Sequence, residues 1–272
     1  VSCHFGKDGG YMNIILFYFS GTGNTKWVSN QLKNILAGKF VNVDLFYINS
    51  EIMEFLNKMN LNKYDKIGIA HPIYGANLPP IVDTFINKLE SKLDKMTEGF
   101  IISTFGFING LGYFAEKKHF KKLKIKQYIN IRMPNNITTP KLKSPIPDKK
   151  LADLMKNRAL KILKKTSDYI VKKRLLIMGI APYLIPGIII RRISKENVPN
   201  SYKQLSVSIE RCTKCFDCIN NCPTKAISFT GTEFIFSSKC TACMRCYNYC
   251  PKNTILMDRI YADPEEYPRY KL

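Results

Sequence analysis

Residues 14–25 read IILFYFSGTGNT. An uninterrupted apolar run, Ile14–Phe19, stops at a loop of glycines, hydroxyls and one amide. Beyond it Trp27, Val28, Leu32, Ile35 and Leu36 recur at helical spacing, and Gly38 supplies a stop. A strand that feeds a helix through such a loop turns backbone N–H groups toward an anion, and the helix dipole adds to the attraction. Gly21 and Gly23 allow close backbone approach, while Ser20, Thr22, Asn24 and Thr25 offer side-chain hydrogen bonds. The lysine of a triphosphate-binding loop is missing, and so is the G-x-G-x-x-G of a dinucleotide loop. Phosphate binding accounts for this hydroxyl density, which a plain turn would not require.

Reading outward, the same alternation recurs. Val41–Ile48 and Ile67–Ala70 are the next strands, the latter followed by the loop His71–Pro80. Ile81, Val82, Phe85, Ile86 and Leu89 mark a second amphipathic helix. Phe100–Thr104 is a fourth strand, leading into the glycine-rich loop Phe105–Gly112, and Tyr128–Met133 is a fifth. Apolar strands separated by helices imply parallel pairing with right-handed crossovers, so the expected architecture is an α/β doubly wound, five-stranded parallel sheet. A proline-rich loop spans residues 134–147, and Asp148 is placed to cap a long basic helix running to about Arg174.

Eight of the nine cysteines lie between Cys212 and Cys250. They form two runs 28 residues apart: Cys212, Cys215, Cys218 and Cys222-Pro223, then Cys240, Cys243, Cys246 and Cys250-Pro251. Two-residue gaps let three thiolates of one tight loop reach three irons of a cube, and in this spacing the fourth cysteine serves the other cluster. One [4Fe–4S] cluster would take Cys212, Cys215, Cys218 and Cys250, and the other Cys240, Cys243, Cys246 and Cys222. Structural zinc also accepts four cysteines, but its sites show paired gaps and a long spacer. A reducing, cytoplasmic setting with thiolate ligands suits these cysteines better than a disulfide scaffold, since no secretory leader is visible.

At these runs, from about Leu205 to Ile260, the chain resembles the bacterial two-cluster ferredoxins, small α+β domains. The SGTGNT string resembles the phosphate loop of the flavodoxin family, a likeness extending to about Met133. That resemblance implies FMN. It places two further flavin loops after the third and fourth strands, at Pro72, Ile73, Tyr74, Gly75 and Ala76, and at Thr104, Phe105 and Gly106 through Gly110. It also puts Tyr74 against the flavin ring and Gly75 near its N5 edge. The order of flavodoxin, basic connector and two-cluster ferredoxin is similar to the EFR family of fusion proteins. The division expected is 12–174 for the flavin domain, 175–204 for an apolar and basic connector, and 205–272 for the cluster domain. Such a protein transfers electrons, FMN handling one or two and each cluster one. A flavin reductase of a small substrate and a membrane-surface redox subunit are the alternatives.

The formal net charge is +21, and its excess lies before the cysteine-rich end. Acidic redox partner proteins are the expected readers of that charge, and no nucleic acid is. Residues 148–192 offer a possible peripheral membrane contact. Within them residues 175–190 carry no charge but are too short, and too interrupted by Pro182 and Pro186, to span a bilayer. Burial between the domains is their expected fate, with shallow membrane association as the rival. His4, His71 and His119 form no triad or metal constellation in the sequence. Residues 1–11 lack any apolar period, and Met12 directly precedes the first strand, so the functional chain is expected to begin there.

Overall fold

The computed structural model describes residues 11–110, 112–135, 137–140, 143–179 and 184–269, except for the side chains of residues 184–186. Cys3, His4, Leu111 and Pro182 lie outside the described residues, as does almost all of the 1–11 segment.

Strands β1 (Met12–Tyr18), β2 (Val41–Tyr47), β3 (Lys66–Pro72), β4 (Thr97–Phe105), β5 (Leu123–Arg132) and β6 (Leu176–Ile177) make one sheet, ordered β2-β1-β3-β4-β5-β6. Every pairing is parallel. The sheet thus has six strands where the sequence reading expects five. The sixth is only two residues long and escapes any periodicity argument. It is held by β5: Leu176 and Ile177 pair with Gln127 and Tyr128, and Gln127 Nε2 donates to the carbonyls of Tyr169 and Arg174.

Strand β1 shows how the sheet is covered. Its side chains alternate with the two-residue period of an extended chain. Ile14 and Leu16 pack with Val28 and Leu32 of α1 (Asn24–Ala37) and Leu163 and Ile170 of α5 (Lys149–Val171). Ile15 and Phe17 pack on the opposite face with Ile52 of α2 (Ser50–Phe55) and Phe85 and Leu89 of α3 (Pro80–Lys92). Asp148 caps α5 as expected, its carboxylate accepting from Leu151 N at 2.7 Å, a contact worth about 1 kcal/mol. A short α4 (Tyr113–Glu116) follows β4, and α6 (Leu184–Asn200) follows β6. On α6, Gly187 is buried against Gly110, whereas Ile188, Ile189 and Ile193 are exposed. Among the described residues of the segment 175–190, expected to be buried between the domains, only Gly187 is buried.

In the C-terminal unit β7 (Leu205–Val207) pairs antiparallel with β10 (Ile255–Met257), and β8 (Ile227–Phe229) with β9 (Phe234–Phe236). Helices α7 (Asp217–Asn220) and α8 (Arg245–Tyr249) each begin one residue before the third cysteine of their run, Cys218 and Cys246, and carry it. The sequence repeat returns in the backbone. Left-handed φ values occur at Lys214 and Ala242, at Phe216 and Met244, and at Lys225 and Asn253, each pair 28 residues apart. Leu205, Ile227, Phe234, Tyr247 and Ile255 fill a small core between the two ligand loops.

Candidate functional site

The three loops singled out in the sequence converge at the carboxyl edge of the sheet, where doubly wound folds bind ligands. They line a cavity of about 420 Å³, within the range of small-molecule sites. Ser20, Gly21, Thr22, Asn24 and Thr25 contribute from the first loop, Pro72 through Ala76 from the second, and Thr104, Phe105 and Gly106 from the third. Gly23 and Gly110 do not line it. Gly23 instead turns the chain, with φ 113°, and donates its N–H to Ser20 Oγ at 3.1 Å. Thr25 and Thr104 share a hydroxyl contact of 2.8 Å, which ties the first loop to the third. Asn24 Nδ2 donates to the Pro134 carbonyl at 2.8 Å, while its buried Oδ1 has no partner. Helix α1 starts without a side-chain cap and without an acidic residue in its first turn. Its first N–H groups are therefore left to an anion. With Tyr74, Phe105, Phe107, Ile108 and Ile190 on the walls, phosphate at one end and an aromatic ring system beyond it is a chemically matched occupant, so the residues present fit FMN.

Three small cavities lie among the cysteines, one of them lined by Cys218, Cys246 and Cys250 of both expected sets. A second is lined by Cys212, Cys215, Cys218 and Cys250. The third is lined by Cys222, Cys240, Cys243 and Cys246, with Cys218 also on its wall. Among the described residues no three donors converge as they would around a single metal ion; a cube spreads its sulfurs wider. The left-handed turns aim amides at sulfur: Lys214 N donates to Cys212 Sγ at 3.4 Å, and Ala226 N and Thr254 N donate to Cys222 and Cys250 Sγ at 3.3 Å. Such bonds stabilise thiolate charge and tune cluster potential. Burial pushes the Cys243 thiol up to about 12 and the Cys246 thiol well above its usual range, so iron must displace protons on binding.

What the sequence does not show is how the two sites meet. Cys243 lies on the wall of the flavin-loop cavity as well as among the cluster ligands. A Cβ on Gly21 would stand 2.4 Å from the Cys243 carbonyl oxygen and 2.8 Å from Tyr74 Oη. The glycine read as room for a phosphate is thus also the room for the cluster loop. Arg245 Nη1 donates to the Gly21 carbonyl at 3.1 Å, and Tyr249 Oη donates to the Thr22 carbonyl at 3.1 Å. The guanidinium lies over the Tyr249 ring. Ile81 N donates to Thr241 Oγ1, Tyr247 Oη to the Thr138 carbonyl, and Ser50 N to the Pro223 carbonyl. Arg245 and Tyr249 belong to no motif of the sequence, yet the repeat carries a signal for them. Shifted by 28 they fall on Asp217 and Asn221, which makes them places where the two copies differ.

Buried titratable groups stand at both ends of β3, His71 with Glu116 beside the site and Lys66 at the opposite, amino end. His71 and Glu116 are almost fully buried, with Nε2 3.2 Å from Oε2. Burial opposes a charge on His71, but the Glu116 carboxylate outweighs it and leaves the imidazole pKa raised. Lys66, fully buried, donates to the Ile170 carbonyl at 2.7 Å and lies 3.6 Å from Glu98. Burial lowers its pKa to about 8 despite the attraction of Glu98.

Two family models agree with this division. Residues 15–142 match the family model described as flavodoxin domain, and residues 204–254 match that of the 4Fe-4S dicluster domain. No curated protein matches the chain. Among solved structures it is similar to flavodoxin 2 of Bacillus cereus, 17% identical over 59% of this chain and 99% of that one, TM-score 0.42. A flavodoxin from the domain Archaea is 16% identical over 59% of this chain and 99% of its own, TM-score 0.38. A flavodiiron core from Synechocystis is 14% identical over 60% of this chain and 38% of its own, TM-score 0.40. The fold and the two matched domains define an electron-transfer protein that carries FMN and two [4Fe–4S] clusters. More particularly, the chain is a flavodoxin–ferredoxin fusion. Among the described residues no helix is long and apolar enough to cross a membrane.

Proposed function

We propose that this protein is a cytoplasmic electron relay of the EFR type, exchanging electrons between FMN and two clusters and passing them to acidic partner proteins. The observation that carries the reading is the position of Cys243, shared by the flavin-loop cavity and the second cysteine set. The cluster held by Cys222, Cys240, Cys243 and Cys246 is then the one next to the flavin. The cluster held by Cys212, Cys215, Cys218 and Cys250 is the outer one, and the exposure of Cys215 gives it a route to a partner.

Ser20 braces the phosphate loop through Gly23 N, while Thr22, Asn24 and Thr25 hold the phosphate. Tyr74 and Gly75 with Pro72, Ile73, Ala76 and the Thr104–Gly106 loop surround the ring. Bound FMN supplies one- and two-electron chemistry. Reduction of a small substrate over the ring is disfavoured by α6, whose Ile190 and Ser194 line the cavity and whose Ser194 lies where a Gly75 side chain would point. Contact with a membrane surface remains a second reading, favoured by exposed Ile188, Ile189 and Ile193 beside exposed Arg192 and Lys195.

Anaerobic reconstitution followed by rapid photoreduction of the flavin tests the relay. Both clusters should become reduced within the same molecule, at a rate independent of protein concentration. Clusters that stay oxidised, or that are reduced only by collision between molecules, overturn it. Reduction of an acidic acceptor should slow with salt as steering is screened, and reversing Lys161, Lys164 and Lys165 should flatten that dependence.

A further inference from the structure

Beside the flavin-loop cavity lies a second one, of about 340 Å³, between the N-terminal end of α3, the turn at Lys118–His119 and α6. Lys118, Arg191 and Lys195 all line it. Its wall carries a single carboxylate, Asp83, which is occupied by His119 Nδ1 at 2.8 Å. That contact holds the Asp83 carboxyl below its usual range. Among the described residues Lys118, Arg191 and Lys195 enter no ion pair; Asp83 also feels the charge of Lys118, so three cations share one space with a single carboxylate.

The geometry is fixed as well as charged. Arg191 Nη1 donates to the Ala76 carbonyl at 3.0 Å, and Asn77 Nδ2 donates to the Arg191 carbonyl at 3.0 Å and to the Gly75 carbonyl at 2.9 Å. These bonds hold the guanidinium on the cavity wall with donors to spare, since the fork has five N–H groups. The 13-residue helix α3 begins at Pro80 on the same wall, but its first N–H groups are taken, that of Ile81 by Thr241 Oγ1 and those of Val82 and Asp83 by the Pro79 carbonyl, so the three cations alone supply the attraction. A fixed arginine fork and two lysine ammonium groups suit oxygens that each carry part of several negative charges. We propose that this cavity binds a phosphate-bearing small molecule, as a phosphate ester or phosphoanhydride. The site does not depend on the relay reading. It is nonetheless coupled to the flavin loops, because Ser194 lines both cavities and packs on Gly75.

Calorimetric titration of the FMN- and cluster-loaded full chain with inorganic pyrophosphate, and separately with ADP and with NADPH, tests the assignment. Flavin fluorescence is followed in parallel. Saturable binding of at least one of them is expected, with a change in flavin emission. Pyrophosphate alone identifies a free anion as the occupant, and tighter binding of ADP or NADPH identifies a nucleotide. Lys118→Gln combined with Lys195→Gln should weaken binding about tenfold or more for each cation lost. Lys161→Gln combined with Lys164→Gln on α5 should leave binding in place, since it removes equal charge away from the cavity. Both lysine pairs are at exposed or partly exposed helix and turn positions, and unchanged FMN content confirms that the variants fold. If none of the three compounds binds, or if the two double variants weaken binding equally, the cavity is not a phosphate site.

Discussion

Replacement of Gly21 by alanine separates the two duties assigned to the SGTGNT loop. The new Cβ would lie 2.4 Å from the Cys243 carbonyl oxygen, 2.8 Å from Tyr74 Oη and 3.1 Å from Cys243 Cβ. A carbon and a carbonyl oxygen normally stand about 3.3–3.6 Å apart, so the cluster loop has to retreat by about 1 Å. Gly21 is not among the residues with positive φ, so alanine brings no backbone strain and the contact is isolated. Overpacking of this kind costs about 1–3 kcal/mol. Because two of the three nearest atoms belong to the cluster domain, that cost falls on domain docking. It lowers the ratio of docked to separated molecules by about 5–150-fold. The eight cluster cysteines are untouched, so iron content should match the unaltered protein. The assay is flash photoreduction of the flavin with cluster bleaching followed in time, alongside FMN affinity and amide exchange over residues 241–249. Electron equilibration should slow and exchange should rise, while FMN affinity falls little. The reverse pattern, with FMN affinity lost and equilibration and exchange unchanged, would mean that Gly21 serves the phosphate alone and that the two loops are not in contact in solution. Gly38→Ala, whose Cβ would meet only the Ile35 and Asn34 carbonyls at 3.5 and 3.8 Å, is the control.

Cys222→Ala should remove the cluster of Cys240, Cys243 and Cys246 and spare that of its own run; spectra showing loss confined to the Cys212 cluster would refute the crossed arrangement. Thr22→Ala with Thr25→Ala should weaken FMN binding by about 1.5–3 kcal/mol for each hydrogen bond to the charged phosphate, and an unchanged dissociation constant removes these hydroxyls from the site. Lys66 gives a pH test. Its folded pKa is lowered from the usual 10.5 to about 8, so between those values the unfolded chain binds more protons and stability rises with pH. The stability of the unaltered protein relative to Lys66→Met should therefore climb by about 3 kcal/mol from pH 8 to 10.5. Trp27, the only tryptophan, packs against the core beside α5 and reports the unfolding; a difference that is flat over that window shows that Lys66 titrates normally.

The parallel sheet and both cofactor loops are legible in the sequence because each is a local pattern. Ile14–Phe19 is apolar on both faces since both faces of β1 are covered, and the cysteine runs place their ligands within a few residues of one another. Three things are not local. Leu176–Ile177 is a strand only because β5 offers an open edge and Gln127 binds the carbonyls around it. Lys66 reads as a surface residue in any window and is buried because Glu98 and the end of α5 close over it. His71 Nε2 has no partner until the fold brings Glu116, 45 positions away in the sequence, to 3.2 Å. Helix α6 presents a fourth kind of ambiguity. Its isoleucines are apolar enough for either face, and only the packing of Gly187 on Gly110 decides which side turns inward.

The contact between the domains follows from the geometry of a single loop. No cis peptide occurs among the described residues. In a trans peptide the carbonyl of one residue and the N–H of the next point in opposite directions. When the Gly21 and Thr22 carbonyls turn toward Arg245 and Tyr249, the N–H groups of Thr22 and Gly23 turn away from the cluster domain. One of them is taken by Ser20 Oγ. The loop therefore presents acceptors to one redox unit and donors to its own side. A cationic donor on the carbonyl polarises the peptide and strengthens its N–H as a donor. Phosphate bound on one side and Arg245 on the other should then favour each other, and any such coupling between two ligands of one element is reciprocal. The two units are joined at the loop that the sequence marks most clearly, through an arginine and a tyrosine that are absent from the equivalent positions of the first cysteine run.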